Sequence, residues 1–276
     1  MRLFAILCCL PVLLPAQDAA EIIRRSIQTY DSNYKAAKEY MYVAREERRE
    51  LDGSGGVKER RINTYEVTNL QGSPNRRLIA RNDAPLSPEE AKLELQKLQT
   101  SIEERRKETP EQRAKRIGDY EQRQEERRHD FTVEIPAAFD FKIVGEDSSH
   151  GAPAWVIQGT PRRGFKGRSR IAKAVFPNVN CKFWVSKKDY QAQRIEMDVF
   201  DTVSFGFLVV RLSKGSRIVF EQTPIEEELW FPKKIVIEAV AKIMLIKKYR
   251  LEMLYDYSGY KKFQAESRII DMELPK

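Results

Sequence analysis

Few residues in this 276-residue chain could carry out covalent or acid–base chemistry, and they are thinly spread. The histidines are His129 and His150, and the cysteines are Cys8, Cys9 and Cys181. Serine–histidine–acid or cysteine–histidine catalysis would have to recruit one of those two imidazoles. His129 ends a charged helical run and His150 sits in Ser148-Ser149-His150-Gly151, so both read as surface residues. There is no His-Glu-x-x-His, no Cys-x-x-Cys and no phosphate-cradling glycine loop. Gly164-Phe165-Lys166-Gly167 is a flexible basic loop. Carboxylate pairs such as Asp198 and Asp201 arise by chance in a chain with 41 acidic residues. The pattern assigns no catalytic residue, no metal ligand and no cofactor.

Two other constellations stand out. The first is a basic block between Pro161 and Lys188: Arg162, Arg163, Lys166, Arg168, Arg170, Lys173, Lys182, Lys187 and Lys188, with no acid among them. At a membrane surface each such charge is worth about 1 kcal/mol towards anionic lipid. Arg162, Arg163, Lys166, Arg168, Arg170 and Lys173 form the expected membrane- or partner-facing patch. A solvated loop is the plainer alternative. The second constellation is a set of large apolar residues at alternate strand positions: Phe183, Met197, Val199, Phe205, Phe207, Tyr249, Leu251, Met253 and Tyr255. Adaptable methionines and aromatics suit a cavity for flexible chains. They also build an ordinary filled core, and spacing alone favours the core.

These residues need elements to hold them. Ile23, Ile27, Tyr30 and Tyr34 recur at helical spacing and predict a first helix with Asp18 at its N-cap. Strands are expected over Glu39–Leu51 and Val57–Leu70, joined by Asp52-Gly53-Ser54-Gly55-Gly56, with a short strand at Arg76–Arg81. Ser87-Pro88-Glu89-Glu90 starts a helical insert that runs to His129, split in two at Thr109-Pro110-Glu111. Its acids and bases interleave, which reads as a solvated helical hairpin, with a mobile lid or partner-binding arm as the alternative. From Phe139 to Phe263 the pattern is all β without intervening helices, with Gly206 as a bulge site and Tyr260–Phe263 closing a sheet edge. The expected fold is α+β and mainly β: a curved antiparallel sheet with helices over its concave face.

Residues 1–16 read as a cleavable secretory signal. Arg2 is followed by an apolar run, Leu3–Leu14, and cleavage is expected near Ala16. That run is shorter than the roughly 20 residues of a spanning helix. Neither Cys8 nor Cys9 has the small preceding residue of a lipid-attachment signal. With the signal removed only Cys181 remains, so no internal disulfide forms. The expected mature protein is one domain, 17–276, in the periplasm. Net charge is +8, which in an exported protein suits anionic lipid or an acidic partner better than nucleic acid.

Phe139-Asp140-Phe141-Lys142-Ile143-Val144-Gly145-Glu146, Lys182-Phe183-Trp184-Val185-Ser186-Lys187-Lys188-Asp189-Tyr190 with Arg194, Lys214-Gly215-Ser216-Arg217 and Leu229-Trp230-Phe231-Pro232-Lys233 resemble the LolA/LolB/RseB-like superfamily, in particular its larger outer-membrane lipoprotein-sorting members. The resemblance implies an open half-barrel whose concave face holds lipid or lipoprotein acyl chains, without catalysis. A second implication, drawn from the RseB-like members, is a sensor or scaffold with a filled core that binds a protein through its basic face or helical insert.

Overall fold

The computed structural model describes residues 18–205, 210–226, 229–243 and 247–262. The expected signal and the expected bulge at Gly206 lie outside them. Helix α1 (Ala19–Ala37) starts where the Asp18 carboxylate accepts the Ala20 N–H at 3.0 Å. Ala19, Ile22, Ile23 and Ser26 form its buried face, with Ile27 beside them. Tyr30 and Tyr34 are only partly buried.

Strands β1 (Tyr40–Leu51), β2 (Val57–Leu70), β3 (Ser73–Arg81) and β4 (Ala84–Pro85) form a first meander. The insert follows as α2 (Pro88–Lys107) and α3 (Pro110–Thr132), then the short α4 (Ile135–Ala138). Ser87 accepts the Glu90 N–H, and the Glu90 carboxylate accepts the Ser87 N–H, each at 3.2 Å, closing a capping box. Next come β5 (Phe139–Asp147), β6 (Ala154–Pro161), α5 (Arg170–Ala174), a 3-10 turn at Phe176–Asn178, β7 (Val179–Ser186) and β8 (Ala192–Val199). The chain ends in β9 (Val203–Phe205), β10 (Val210–Leu212), β11 (Arg217–Pro224), β12 (Trp230–Ile243) and β13 (Lys247–Lys262).

The sheet is antiparallel, curved and not closed, and runs β4-β3-β2-β1-β13-β12-β11-β8-β7-β6-β5, with β10 joined to β12 and β9 to β10. The fold is the mainly-β α+β open half-barrel that the sequence implied. Two local expectations fail. Helix α5 and the 3-10 turn interrupt the stretch read as all β, because Ser169 caps a short helical turn by accepting the Ala172 N–H at 2.9 Å. Residues 260–262 do not lie at an edge either. Strand β13 pairs with β1 on one side and β12 on the other, and β4 and β5 are the edges.

That order dictates the insert. Strand β4 lies at one edge and β5, the next strand in sequence, at the other. Ten strand spacings span roughly 48 Å along the sheet, and the 23-residue α3 supplies about 35 Å of the return. Helix α2 packs on β3. Helix α3 is held by polar contacts. Arg116 pairs with Glu108 and donates to Ser73 Oγ at 2.8 Å, Glu121 takes Lys38 at 2.7 Å, and Arg128 reaches Asp31 at 2.8 Å.

Paired residues of antiparallel strands share a face, so the register sorts every side chain. One row on the outer face reads Arg194, Glu221, Lys234, Asp256, Arg45 across β8, β11, β12, β13 and β1, with signs that alternate. A neighbouring row carries Glu47, which is 3% exposed and lies within 2.8 Å of Arg45, 2.5 Å of Arg49 and 2.6 Å of Arg60. Hydrogen bonds from Arg60, then Arg49 and Arg45, hold its carboxyl down at about 2 against an ordinary 4.5.

Two outcomes follow from these contacts. Gly72, at φ +91°, has no room for a Cβ: it would meet Ile117 Cδ1 at 2.7 Å. Gly72→Ala should cost about 1–2 kcal/mol and expose 88–132 to limited proteolysis. Adding Ile117→Ala should recover part of that loss and leave the strain at φ. Glu47→Gln should cost roughly 3 kcal/mol at pH 7, at about 1.4 kcal/mol per pH unit of depression. Because the folded-state value is the lower one, denaturant titrations should show the gap to wild type intact above pH 4.5 and closing as pH falls towards 2.

Candidate functional site

The inner face is apolar for a reason visible in the register. One row reads Cys181, Met197, Ile218, Ile237, Met253 across β7, β8, β11, β12 and β13. The next reads Ile157, Phe183, Ile195, Phe220, Ile235, Tyr255 from β6 to β13. Beyond β13 both rows turn polar: Met253 faces Arg48 and Tyr255 faces Glu46 on β1. Arg76 pairs with Glu46 and stacks 4.1 Å over the Tyr65 ring.

Burial changes along these rows. At the β5–β8 end the face is filled. Ile22 and Ile23 of α1, Ala138 of α4, Ala172 of α5 and Phe176 pack against Phe139, Ile157, Val179, Cys181 and Phe183. Ile157 and Phe139 are 0% exposed. This core takes in Val199 and Val203 and is bordered by Ile195, Met197 and Leu212, which pack against it only partly buried. Ile218, Phe220, Ile235, Ile237, Leu251, Met253 and Tyr255 beyond it are all partly exposed. They form an apolar trough between the filled core and the charged wall of Glu46, Arg48 and Arg76.

Towards the upper end of the trough the wall is aromatic. Tyr42 lies 5.9 Å from Tyr257 and 5.4 Å from Tyr260, and Tyr260 lies 5.1 Å from Phe231. Burial pushes the Tyr257 and Tyr34 phenols up to about 12 and Tyr260 further. They stay neutral across physiological pH and behave as bulky apolar groups.

The expected binding residues therefore divide. Phe183 and Val199 are core residues under the helices, Met197 stands at the boundary, and Leu251, Met253 and Tyr255 line the trough. Phe205 and Tyr249 are placed by strand register alone, in β9 and β13. Phe207 lies outside the described residues. Ile218, Phe220, Ile235 and Ile237 join the trough without having been singled out from sequence, because Val219 and Val236 between them blur the alternation.

The basic patch is also reshaped. Arg162 is paired, at 2.8 Å from Asp140, and donates to the Phe139 carbonyl. Arg163, Lys166, Arg168 and Lys173 are exposed, and Arg170 falls at the start of α5. The loop is held from below by Glu134, 6% exposed, whose carboxylate accepts the N–H groups of Arg168 at 2.6 Å and Ser169 at 2.9 Å. Those hydrogen bonds keep its carboxyl lowered despite burial.

The residues weighed for catalysis are not drawn together. His150 lies edge-on to Trp184, with Nε2 3.9 Å from Asp147. Cys181 is buried in the core, which pushes its thiol up and leaves it unreactive. Among the described residues no three metal-ligating groups cluster, and no helix is long and apolar enough to cross a membrane.

No family model matches the chain, and no curated protein does. Solved structures are similar in outline. A DUF1329 family protein from Desulfovibrio piger shares 11% identity at TM-score 0.34, covering 89% of this chain and 94% of its own. A putative outer membrane lipoprotein-sorting protein domain from Vibrio parahaemolyticus shares 10% at 0.34, covering 87% and 92%. The LolA superfamily protein NE2245 from Nitrosomonas europaea shares 10% at 0.33, covering 89% and 94%. At such scores these matches transfer no ligand, partner or role.

The half-filled face makes a stability prediction. Phe183→Ala, in the closed part, should cost about 3–5 kcal/mol, whereas Met253→Ala, in the trough, should cost less than about 1.5. Equal losses in equilibrium unfolding would mean the trough is packed like the core.

Proposed function

We propose that this protein is a periplasmic, non-catalytic carrier or binding protein for lipid or lipoprotein acyl chains, serving outer-membrane lipid or lipoprotein sorting. It acts as one domain after loss of the signal near Ala16. The observation that carries the reading is the pair of apolar rows, Met197-Ile218-Ile237-Met253 and Ile195-Phe220-Ile235-Tyr255, left partly exposed beside a closed core. A contiguous apolar surface of this kind calls for an occupant. An acyl chain lying along it gains about 0.8 kcal/mol per buried methylene before ordering costs. Glu46, Arg48 and Arg76 at the margin give a polar head group somewhere to stay hydrated or paired.

The test is direct. Native mass spectrometry of protein prepared from a membrane-containing extract should show bound lipid. Displacement of a fluorescent fatty acid should saturate at one class of site. Ile237→Glu should weaken that binding on the order of tenfold or more, the equivalent of two lost methylene contacts. A lipid-free protein whose affinity for the probe is unchanged by Ile237→Glu would overturn the carrier. Capture of a protein through residues 162–173 or the α2–α3 insert by such a lipid-free chain would return the scaffold alternative.

A further inference from the structure

Strands β5 to β8 and β11 alternate in direction, so one end of the sheet collects the start of β5, the end of β6, the start of β7, the end of β8 and the start of β11. Main-chain hydrogen bonds knit this end together. Arg162 N–H donates to Ala138, Phe200 N–H to Asn178, Val199 N–H to Ser216 and Gly215 N–H to Val199.

The residues displayed there are of two kinds. Arg163, Lys166, Arg168, Lys173 and Lys214 are exposed cations, and none of them has an ion pair among the described residues. Two large apolar side chains stand out among them: Phe200, 40% exposed, and Val133, 55% exposed. The acids at the same end are largely spoken for. Asp140 pairs with Arg162 and Asp198 with Arg217, while Glu134 is buried under the loop. Asp201 remains exposed. The loop is also tethered: the Glu134 carboxylate accepts two of its backbone N–H groups, and Gly167 packs against Ala172 with no space for a Cβ.

We infer that this end of the half-barrel docks on an anionic phospholipid surface, its cations meeting head-group phosphates and Phe200 and Val133 entering the interface. An acidic protein would satisfy the charges but gives no reason to leave a phenylalanine and a valine exposed among them. A bilayer interface takes both. The inference deepens the carrier reading and rests on it for its purpose. The lower ends of β8 and β11, with Met197 and Ile218, adjoin this surface, so docking places the mouth of the trough next to lipid.

The experiment is flotation of the full chain with vesicles of mixed phosphatidylcholine and phosphatidylglycerol, against vesicles of phosphatidylcholine alone, at low and physiological salt. Binding should require the anionic lipid and fall with salt. Arg163→Gln with Lys166→Gln should weaken it roughly 30-fold, at about fivefold per cation. Phe200→Ser should weaken it several-fold with little change in salt slope. Lys58→Gln, on the β2 hairpin, should leave it unchanged. Equal binding to neutral vesicles, or indifference to the double substitution, overturns the inference. So does binding to polyglutamate but not to anionic vesicles, which would assign the patch to an acidic protein. Fatty-acid displacement without vesicles separates this proposal from the carrier reading: the double variant should keep wild-type cargo affinity. Vesicle binding by a protein that binds no fatty acid would sink the carrier and leave the docking surface standing.

Discussion

The longest-range pairing in the molecule, β1 against β13, decides where everything else must go. Residues 40–51 are zipped to residues 250–262 along the whole of β1. This joins the first strand to the last and places both in the middle of the sheet. The two meanders then grow outward, β2 to β4 on one side and β12 back to β5 on the other. The edges are β4 and β5, strands consecutive in sequence and farthest apart along the sheet. The chain has to cross the open side of the curve between them, and α2 and α3 are that crossing. A segment that looks like an ornament when read by composition is a topological necessity.

The same constraint explains why the concave face is filled at only one end. Helix α1 lies against β5, β7 and β12, so it runs across the strands and not along them. A helix about 10 Å wide masks roughly three residues of each strand it crosses. Strand β12 has 14 residues. Helix α4 adds cover near the start of β5, and α5 packs on the 3-10 turn before β7 and on β9. The apolar rows nevertheless continue to β13. The sequence thus builds more inward apolar surface than its own helices cover among the described residues.

Much of this was legible beforehand, and the misses have physical causes. The strand expected over Val57–Leu70 is β2 to the residue, and that over Glu39–Leu51 is one residue longer than β1, because the glycine-rich turn between them leaves a local imprint. The caps at Asp18 and Ser87 did the same for α1 and α2. Strand order leaves no such imprint. Nothing local in Lys261 or Lys262 says that Met41 and Tyr40 will lie beside them, so the end of a central strand reads as an edge. The trough suffered likewise. Ile218-Val219-Phe220 and Ile235-Val236-Ile237 are unbroken apolar runs that do not say which residues face inward, and only the β11–β12–β13 register aligns them into rows. Arg162 was counted with the basic patch because its partner, Asp140, is 22 residues away in sequence and one strand away in space.

The composition of α3 bears on whether the trough is meant to stay open. A strap intended to complete a core would present an apolar stripe to it. Among its described side chains only Thr132, at its end, is buried. Its fixed points are the ion-paired Arg116, Glu121 and Arg128, with Ile117 lying close against Gly72. Partly exposed pairs of this kind contribute little stability each, but they fix position without demanding that apolar surface be covered. The helix carries the chain between the two edges, and Ile218, Ile237 and Met253 stay partly exposed.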